Sequence, residues 1–155
     1  MQDVNFAGVI MIAPFSDLPA MLTTYSVGGL LPLLRPLEWI TGFQEWFPNM
    51  IVDKWNSALR LSNTVRISKR LNLFIIHARN DWDIPYTNSD VLFAAVVNAV
   101  TPGMNEEVFV EMKSSNTIHM RDGASISTWT ASGKFVQEII VAYGGKHYEV
   151  WRTKL

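Results

Sequence analysis

Residues 71–85 read LNLFIIHARNDWDIP, a continuous apolar run that ends abruptly in an acidic loop. Leucine, phenylalanine and isoleucine without polar alternation favour a parallel strand that is covered on both faces. In open α/β sheets, ligands bind beyond the carboxyl ends of such strands. The stretch therefore predicts a buried strand that places Asp81 or Asp83 at a ligand-binding edge.

Two further segments indicate that strands alternate with helices. Residues 8–14, GVIMIAP, form a short apolar run that ends at a proline, which predicts a second buried strand. After Pro85, apolar residues at three- and four-residue spacing predict a helix that runs to about Val100, with Asn88 or Ser89 as its N-cap. The sequence therefore predicts the α/β class, with a mostly parallel sheet and flanking helices.

The pattern changes after this helix to short runs of β-type composition, at residues 108–112, 117–121, 124–130 and 135–143. Asp122-Gly123, between the second and third runs, is a strong signal for a two-residue hairpin turn. The last run leads into a flexible glycine turn, so that His147 lies just past the end of a strand. His147, like Asp81, is therefore predicted to lie just past the carboxyl end of a strand.

Composition narrows the class of protein. The chain has 155 residues, of which 48% are hydrophobic and 17% charged, as expected for one globular domain or part of a larger one. The formal net charge is −1 and no basic field is present, so a nucleic-acid partner is not expected. Cysteine is absent, which excludes disulfides and thiolate sites. No apolar run approaches the roughly 20 residues of a membrane span, and localisation stays open.

Residues 28–56 are rich in proline, tryptophan and leucine and contain few charges. Prolines interrupt this region and predict short helices. A cap that packs over an apolar pocket or contacts lipid is one interpretation, and ordinary core helices are the other.

The remaining candidate site residues are weaker. His77 ends a buried strand and is expected to be a core histidine with satisfied hydrogen bonds, whereas His119 is a substitute candidate for a catalytic base. The spacing of His77, Asp81, Asp83 and His119 matches no standard metal motif. No glycine-rich phosphate loop is present, and no cofactor or metal is expected.

An acid followed by a histidine at the ends of two strands is the order found in α/β-hydrolase triads. The chain resembles the α/β-hydrolase family, and within it the monoacylglycerol and lysophospholipid lipase-like branch of serine hydrolases, including its fungal members. The segments that carry the resemblance are 9–15, similar to the strand after the nucleophile helix; 24–29 with Pro32 and Pro36, similar to the start of the cap; 76–85, similar to the acid loop; and 143–147, similar to the histidine loop.

The resemblance implies that residues 1–155 are the C-terminal half of a hydrolase domain with a cap at about 28–56 and a β-hairpin insertion. It assigns Asp81 as the triad acid, with Asp83 as second choice, and His147 as the base. It also implies a hydrophobic ester or lipid substrate, and an upstream part that supplies the nucleophile, completes the sheet and associates with membranes. Self-association is another way to complete the sheet.

The G-x-S-x-G motif of the nucleophile is absent, and Thr24-Tyr25-Ser26-Val27-Gly28 is a poor substitute. The alternative hypothesis is therefore a catalytically silent fragment that binds lipid or protein.

Overall fold

The structure is a computed structural model that describes residues 8–19, 21, 26–27, 31–32, 49–51, 54–131 and 133–143. The strands in this part of the chain are β1 (Val9–Ile12), β2 (Ser26–Val27), β3 (Leu31–Pro32), β4 (Leu71–Ala78), β5 (Thr117–His119), β6 (Ser125–Ala131) and β7 (Lys134–Val141). The helices described over ten or more residues are α1 (Ser57–Ile67), α2 (Thr87–Val100) and α3 (Glu106–Ser115).

The main sheet has five strands in the order β1-β4-β7-β6-β5. β1, β4 and β7 are parallel to one another, whereas β6 and β5 extend the sheet as antiparallel strands. The predicted strands at 8–14 and 71–78 are present as β1 and β4, and β4 lies between two parallel neighbours. The predicted burial of β1 is wrong, because Ile10 and Ile12 are exposed. The predicted α/β class is also confirmed, with a mixed sheet and helices packed against it.

The helices pack on one face of the sheet. Alternate residues of β4, including Leu73 and Ile75, are fully buried against Leu92 and Val96 of α2 and Val65 of α1. On the predicted apolar face of α2, Leu92, Val96 and Ala99 are buried, whereas Val91 is exposed. The helix face of the sheet contains the larger of the two apolar clusters.

The opposite face holds a smaller cluster around Ala13, Ala78, Ile139 and Val141. Ile10 of β1, which points to this face, is exposed. In the described part of the chain, β4 is thus fully buried on the helix face and only half-buried along most of the other.

The strand predicted at 108–112 is wrong, because these residues belong to α3. Asn105 is the N-cap of this helix, and its Oδ1 accepts a hydrogen bond from the Val108 N–H at 2.8 Å. Glu106 and Glu107 in the first turn favour the positive end of the helix dipole. Capping and dipole effects outweigh the strand preference of the two valines.

The N-cap predicted for α2 is also wrong. Tyr86 is the N-cap residue and makes no capping hydrogen bond through its side chain. Asn88 and Ser89 are buried inside the first turn, where they bind other parts of the chain. The side chain of Asn88 accepts hydrogen bonds from the backbone and hydroxyl of Ser16, which connects α2 to the segment after β1.

Asp122-Gly123 lies in the loop that joins the antiparallel strands β5 and β6. The Met120 N–H donates to the Ala124 carbonyl, and Gly123 adopts a φ of 87°, in the left-handed region that favours glycine. This geometry matches a three-residue hairpin loop with a glycine at its last position, so the predicted hairpin is present but its two-residue turn is wrong.

Only part of the predicted cap at 28–56 is described. Leu31–Pro32 pairs with Ser26–Val27 in a separate two-stranded antiparallel sheet, and residues 49–51 and 54–56 lead towards α1. The other residues of the predicted cap lie outside the described residues.

Candidate functional site

The acid loop begins where β4 ends, and the Asp81 side chain determines its shape. Asp81 is only 6% exposed, and its Oδ1 accepts hydrogen bonds from the backbone N–H groups of Asp83 at 3.1 Å and Ile84 at 2.9 Å. A short acidic side chain that binds the backbone two and three residues ahead stabilises a tight turn. One oxygen of the predicted triad acid therefore holds its own loop.

His77 lies at the centre of the same region and is completely buried. Its Nε2 is 2.9 Å from the carbonyl oxygen of Ile84, and its Nδ1 is 2.8 Å from the Ser89 hydroxyl. A carbonyl can only accept, so Nε2 carries a proton and donates it to Ile84. In the neutral ring, Nδ1 then accepts from Ser89. Both ring nitrogens have partners, and the prediction of a satisfied core histidine is confirmed.

Ser89, His77 and Asp81 together have the composition of a Ser-His-Asp triad. The Asp81 Oδ2 lies 3.4 Å from the His77 Nε2, and Ser89 binds the other ring nitrogen. However, Ser89 and His77 have no exposed surface, so a substrate cannot reach the hydroxyl. These contacts connect β4, the acid loop and α2, and burial leaves Ser89 and His77 a structural role.

Sequence reasoning assigned Ser89 to helix capping and did not connect it with His77. The spacing of 12 residues between them crosses a loop and the start of a helix. No local periodicity brings these positions together, so no signal in the sequence could have identified this pair.

His147 lies outside the described residues, but the strand that leads to it is described. β7 runs parallel to β4, with Ala78 opposite Val141, and the Arg79 N–H donates to the Val141 carbonyl at 2.9 Å. The two strands that precede Asp81 and His147 in the sequence are therefore neighbours and end at the same edge of the sheet. Asp83, the second-choice acid, follows Asp81 in this loop and is half-buried.

A cavity of about 300 Å³ lies on the helix face of this sheet, between α2, α3 and the strands β5 to β7. His119, the substitute candidate for the base, lines it. The cavity is also lined by several side chains that the sequence did not indicate as site residues. Its charged side chains are Arg79, Asp90, Lys113 and Glu138.

Glu138 is the most deeply buried of these charged groups, with 1% of its surface exposed. Its Oε2 is 2.6 Å from the Lys113 Nζ, which also contacts the Asp90 Oδ1 at 2.5 Å. Burial raises the pKa of Glu138 to about 7, although Lys113 acts in the opposite direction. Burial lowers the pKa of Lys113, but the carboxylates of Glu138 and Asp90 outweigh that effect and raise it overall. Lys113 is therefore charged at neutral pH.

The sequence matches no protein-family model, no curated protein and no solved structure. Among the described residues, no group of three or more His, Asp or Glu side chains could hold a metal ion. No helix in the described ranges has the length and apolar character needed to cross a bilayer.

Proposed function

We propose that this chain supplies the acid and the base of a serine hydrolase that cleaves carboxylic esters of hydrophobic, lipid-like substrates. The observation that supports the proposal best is the arrangement of β4 and β7. These neighbouring parallel strands end at one edge of the sheet, and in the sequence Asp81 follows β4 closely and His147 follows β7 closely. The two residues are in the order expected of an α/β-hydrolase triad.

In this mechanism, the Asp81 carboxylate accepts the imidazole N–H of His147 and keeps the other ring nitrogen unprotonated. His147 then takes the proton of a serine nucleophile and returns it to the leaving group. The serine attacks the ester carbonyl and forms an acyl-enzyme intermediate that water hydrolyses. These 155 residues contain no G-x-S-x-G motif. The proposal therefore requires that the nucleophilic serine be presented by a different kind of segment.

The buried contacts around His77 support the proposed role of Asp81, because a triad acid must be held in place. The turn made by the Asp81 Oδ1 and the bond from His77 to the Ile84 carbonyl both restrain this loop. A catalytic carboxylate on a restrained loop loses less entropy when it orients an imidazole.

The pairing of Asp81 with His147 can be tested without a substrate. The sequence has three histidines, so their ring nitrogens can be assigned by NMR with single His→Gln variants. In the wild-type chain we expect neutral His147 to carry its proton on the nitrogen that faces Asp81. Asp81→Asn keeps an Oδ1 acceptor for the loop N–H groups but removes the carboxylate, and should change the His147 tautomer.

Asp83→Asn is the matched control, since it makes the same chemical change two residues away. It should leave the His147 nitrogen shifts unchanged. Identical His147 shifts in the wild type and Asp81→Asn, with the rest of the spectrum preserved, would reject the pairing and with it the proposed triad.

A catalytically silent binding module is the second candidate function, and the absence of G-x-S-x-G from the sequence favours it. A fluorophosphonate probe followed by mass spectrometry separates the two functions. A labelled serine in the chain, or in a polypeptide that co-purifies with it, supports hydrolysis. No labelled serine in either supports the binding module.

A further inference from the structure

The Glu138 carboxylate has one oxygen without a partner. Its Oε2 binds Lys113, but its Oε1 is buried and has no hydrogen-bond partner in the described part of the chain. Buried polar atoms in folded proteins almost always have a partner, and a buried acceptor without one costs free energy. Glu138 lines the cavity between α2 and α3, so a molecule bound there is a candidate donor for this unpaired oxygen.

The sheet register shows how polar side chains continue outwards from Glu138. Ser127 is opposite Glu138 on β6, and its hydroxyl is 2.9 Å from that of Thr117 on β5. The next row of the same face brings Ser125 and His119 to the cavity wall. The strands therefore form a polar wall that leads from a buried carboxylate towards the carboxyl edge of the parallel strands.

The position and size of the cavity fit a ligand site. Arg79, just past the end of β4, lines the same cavity and is exposed. Open α/β sheets bind ligands at this edge. A volume of about 300 Å³ lies at the small end of the range for ligand pockets. A small molecule fits a volume of this size.

The charges indicate the chemistry of the ligand. At the inner end, the carboxylates of Asp90 and Glu138 share the single ammonium of Lys113, which leaves one negative charge in excess when Glu138 is ionised. At the outer end, the guanidinium of Arg79 is positive. A molecule with a cationic N–H donor at one end and an anionic group at the other complements both ends.

We propose that this cavity binds a small aminocarboxylate, whose ammonium group donates to the Glu138 Oε1 and whose carboxylate binds Arg79. The site does not depend on the hydrolase proposal, because it uses neither Asp81 nor His147 and no serine nucleophile. A bound divalent cation is a poorer fit, since Lys113 already occupies the position between the two carboxylates.

The test uses 6-aminohexanoate as the probe, with binding to the full chain measured by NMR titration. Two matched compounds test its two ends: N-acetyl-6-aminohexanoate, which lacks the cation, and hexylamine, which lacks the carboxylate. We expect saturable binding of 6-aminohexanoate with shifts at Ser127 and Lys113. Acetylation should weaken it at least tenfold, and loss of the carboxylate should weaken it severalfold.

Variants test the same contacts from the protein side. Glu138→Gln keeps the shape of the side chain but removes its charge, and should weaken the binding of 6-aminohexanoate at least tenfold. Glu111→Gln makes the same change on the exposed surface of α3 and should have no effect. Should Glu138→Gln fail to fold, the comparison with the acetylated compound tests the same contact in the wild-type protein.

Two outcomes would overturn the proposal. Equal binding of the amine and its acetylated form would show that Glu138 does not recognise a cation. The absence of saturable binding by both 6-aminohexanoate and hexylamine would show that the cavity holds a hydrated ion pair and not a ligand. Neither result bears on the pairing of Asp81 with His147.

Discussion

At the scale of single residues, His77 shows how a polar ring is accommodated inside the core. It is fully buried, yet each ring nitrogen has a partner within 2.9 Å, one on the acid loop and one on α2. A buried polar group costs free energy only when its hydrogen bonds are missing. The contacts of His77 therefore hold β4, the acid loop and α2 in their observed arrangement.

Ser89→Ala should destabilise the protein by about 1–3 kcal/mol, because it leaves the buried His77 Nδ1 without a donor. Urea denaturation followed by circular dichroism measures this change. Ser115→Ala is the matched control: Ser115 is exposed and its hydroxyl donates to carbonyls of its own helix, so the change should stay within about 0.5 kcal/mol. Equal losses in the two variants would contradict the role assigned to Ser89.

Glu138 makes stability depend on pH. Its pKa rises from 4.5 to about 7 on folding, so the folded state binds the proton more tightly than the unfolded state. The associated stability is fully present below pH 4.5 and is lost as the pH rises through 7. A shift of this size corresponds to about 3 kcal/mol. Lys113 stays charged across this window, since its pKa is raised above 10.5.

Glu138→Gln should remove this pH dependence. Relative to the wild type, the variant should gain up to about 3 kcal/mol of unfolding free energy between pH 4.5 and pH 8. Urea unfolding of both proteins at several pH values measures the difference between their free energies of unfolding. The titration of all other groups is common to both proteins and largely cancels in this difference. Parallel pH profiles for the two proteins would show that Glu138 does not titrate in this window.

At the scale of elements, α3 shows that residues favouring the start of a helix can outweigh the strand preference of the residues that follow them. Val108 and Val110 suggested a strand, but the Asn105 side chain and two glutamates in the first turn form a strong helix start. Phe109 packs its ring 6.3 Å from that of Phe93 on α2, which holds the helix against the core. A short valine-containing run is ambiguous until its flanking residues are considered.

Asn105→Ala should destabilise the protein by about 1 kcal/mol, since it removes the acceptor for the Val108 N–H. Thermal unfolding by differential scanning calorimetry measures this loss. Asn63→Ala is the matched control: Asn63 is exposed within α1, where alanine is the better helix former, so that variant should be unchanged or slightly more stable. A loss of the same size in Asn63→Ala would show that capping is not the cause.

At the scale of the whole molecule, the central prediction is that the loops after β4 and β7 act together. For the proposed hydrolase, complete with its serine, we expect Asp81→Asn to lower turnover by about 10⁴-fold and Asp83→Asn to have a mild effect. His147→Ala should abolish activity. Steady-state hydrolysis of a chromogenic ester measures all three.

A different order of activity losses among these variants would assign the acid or the base to another residue. An equal or larger loss in Asp83→Asn would move the acid to Asp83. Loss of activity in His119→Ala with activity retained in His147→Ala would move the base to the wall of the cavity.

The amino-acid order by itself determined the α/β class, the strands at Val9–Ile12 and Leu71–Ala78 and the helix that ends at Val100. These features follow from apolar runs, periodicity and breakers within one segment, which local sequence records. It also placed Asp81 just past the end of a central strand.

Only the tertiary structure decided which distant side chains meet. The Ser89 hydroxyl on His77, the Lys113 ammonium between Asp90 and Glu138, and the cavity beside them join residues from different strands and helices. Glu138 lies in a strand of mostly apolar residues, and nothing local distinguishes it from a surface glutamate. Its burial depends on sheet order and helix packing, which are set by long-range contacts and not by neighbouring residues in the chain.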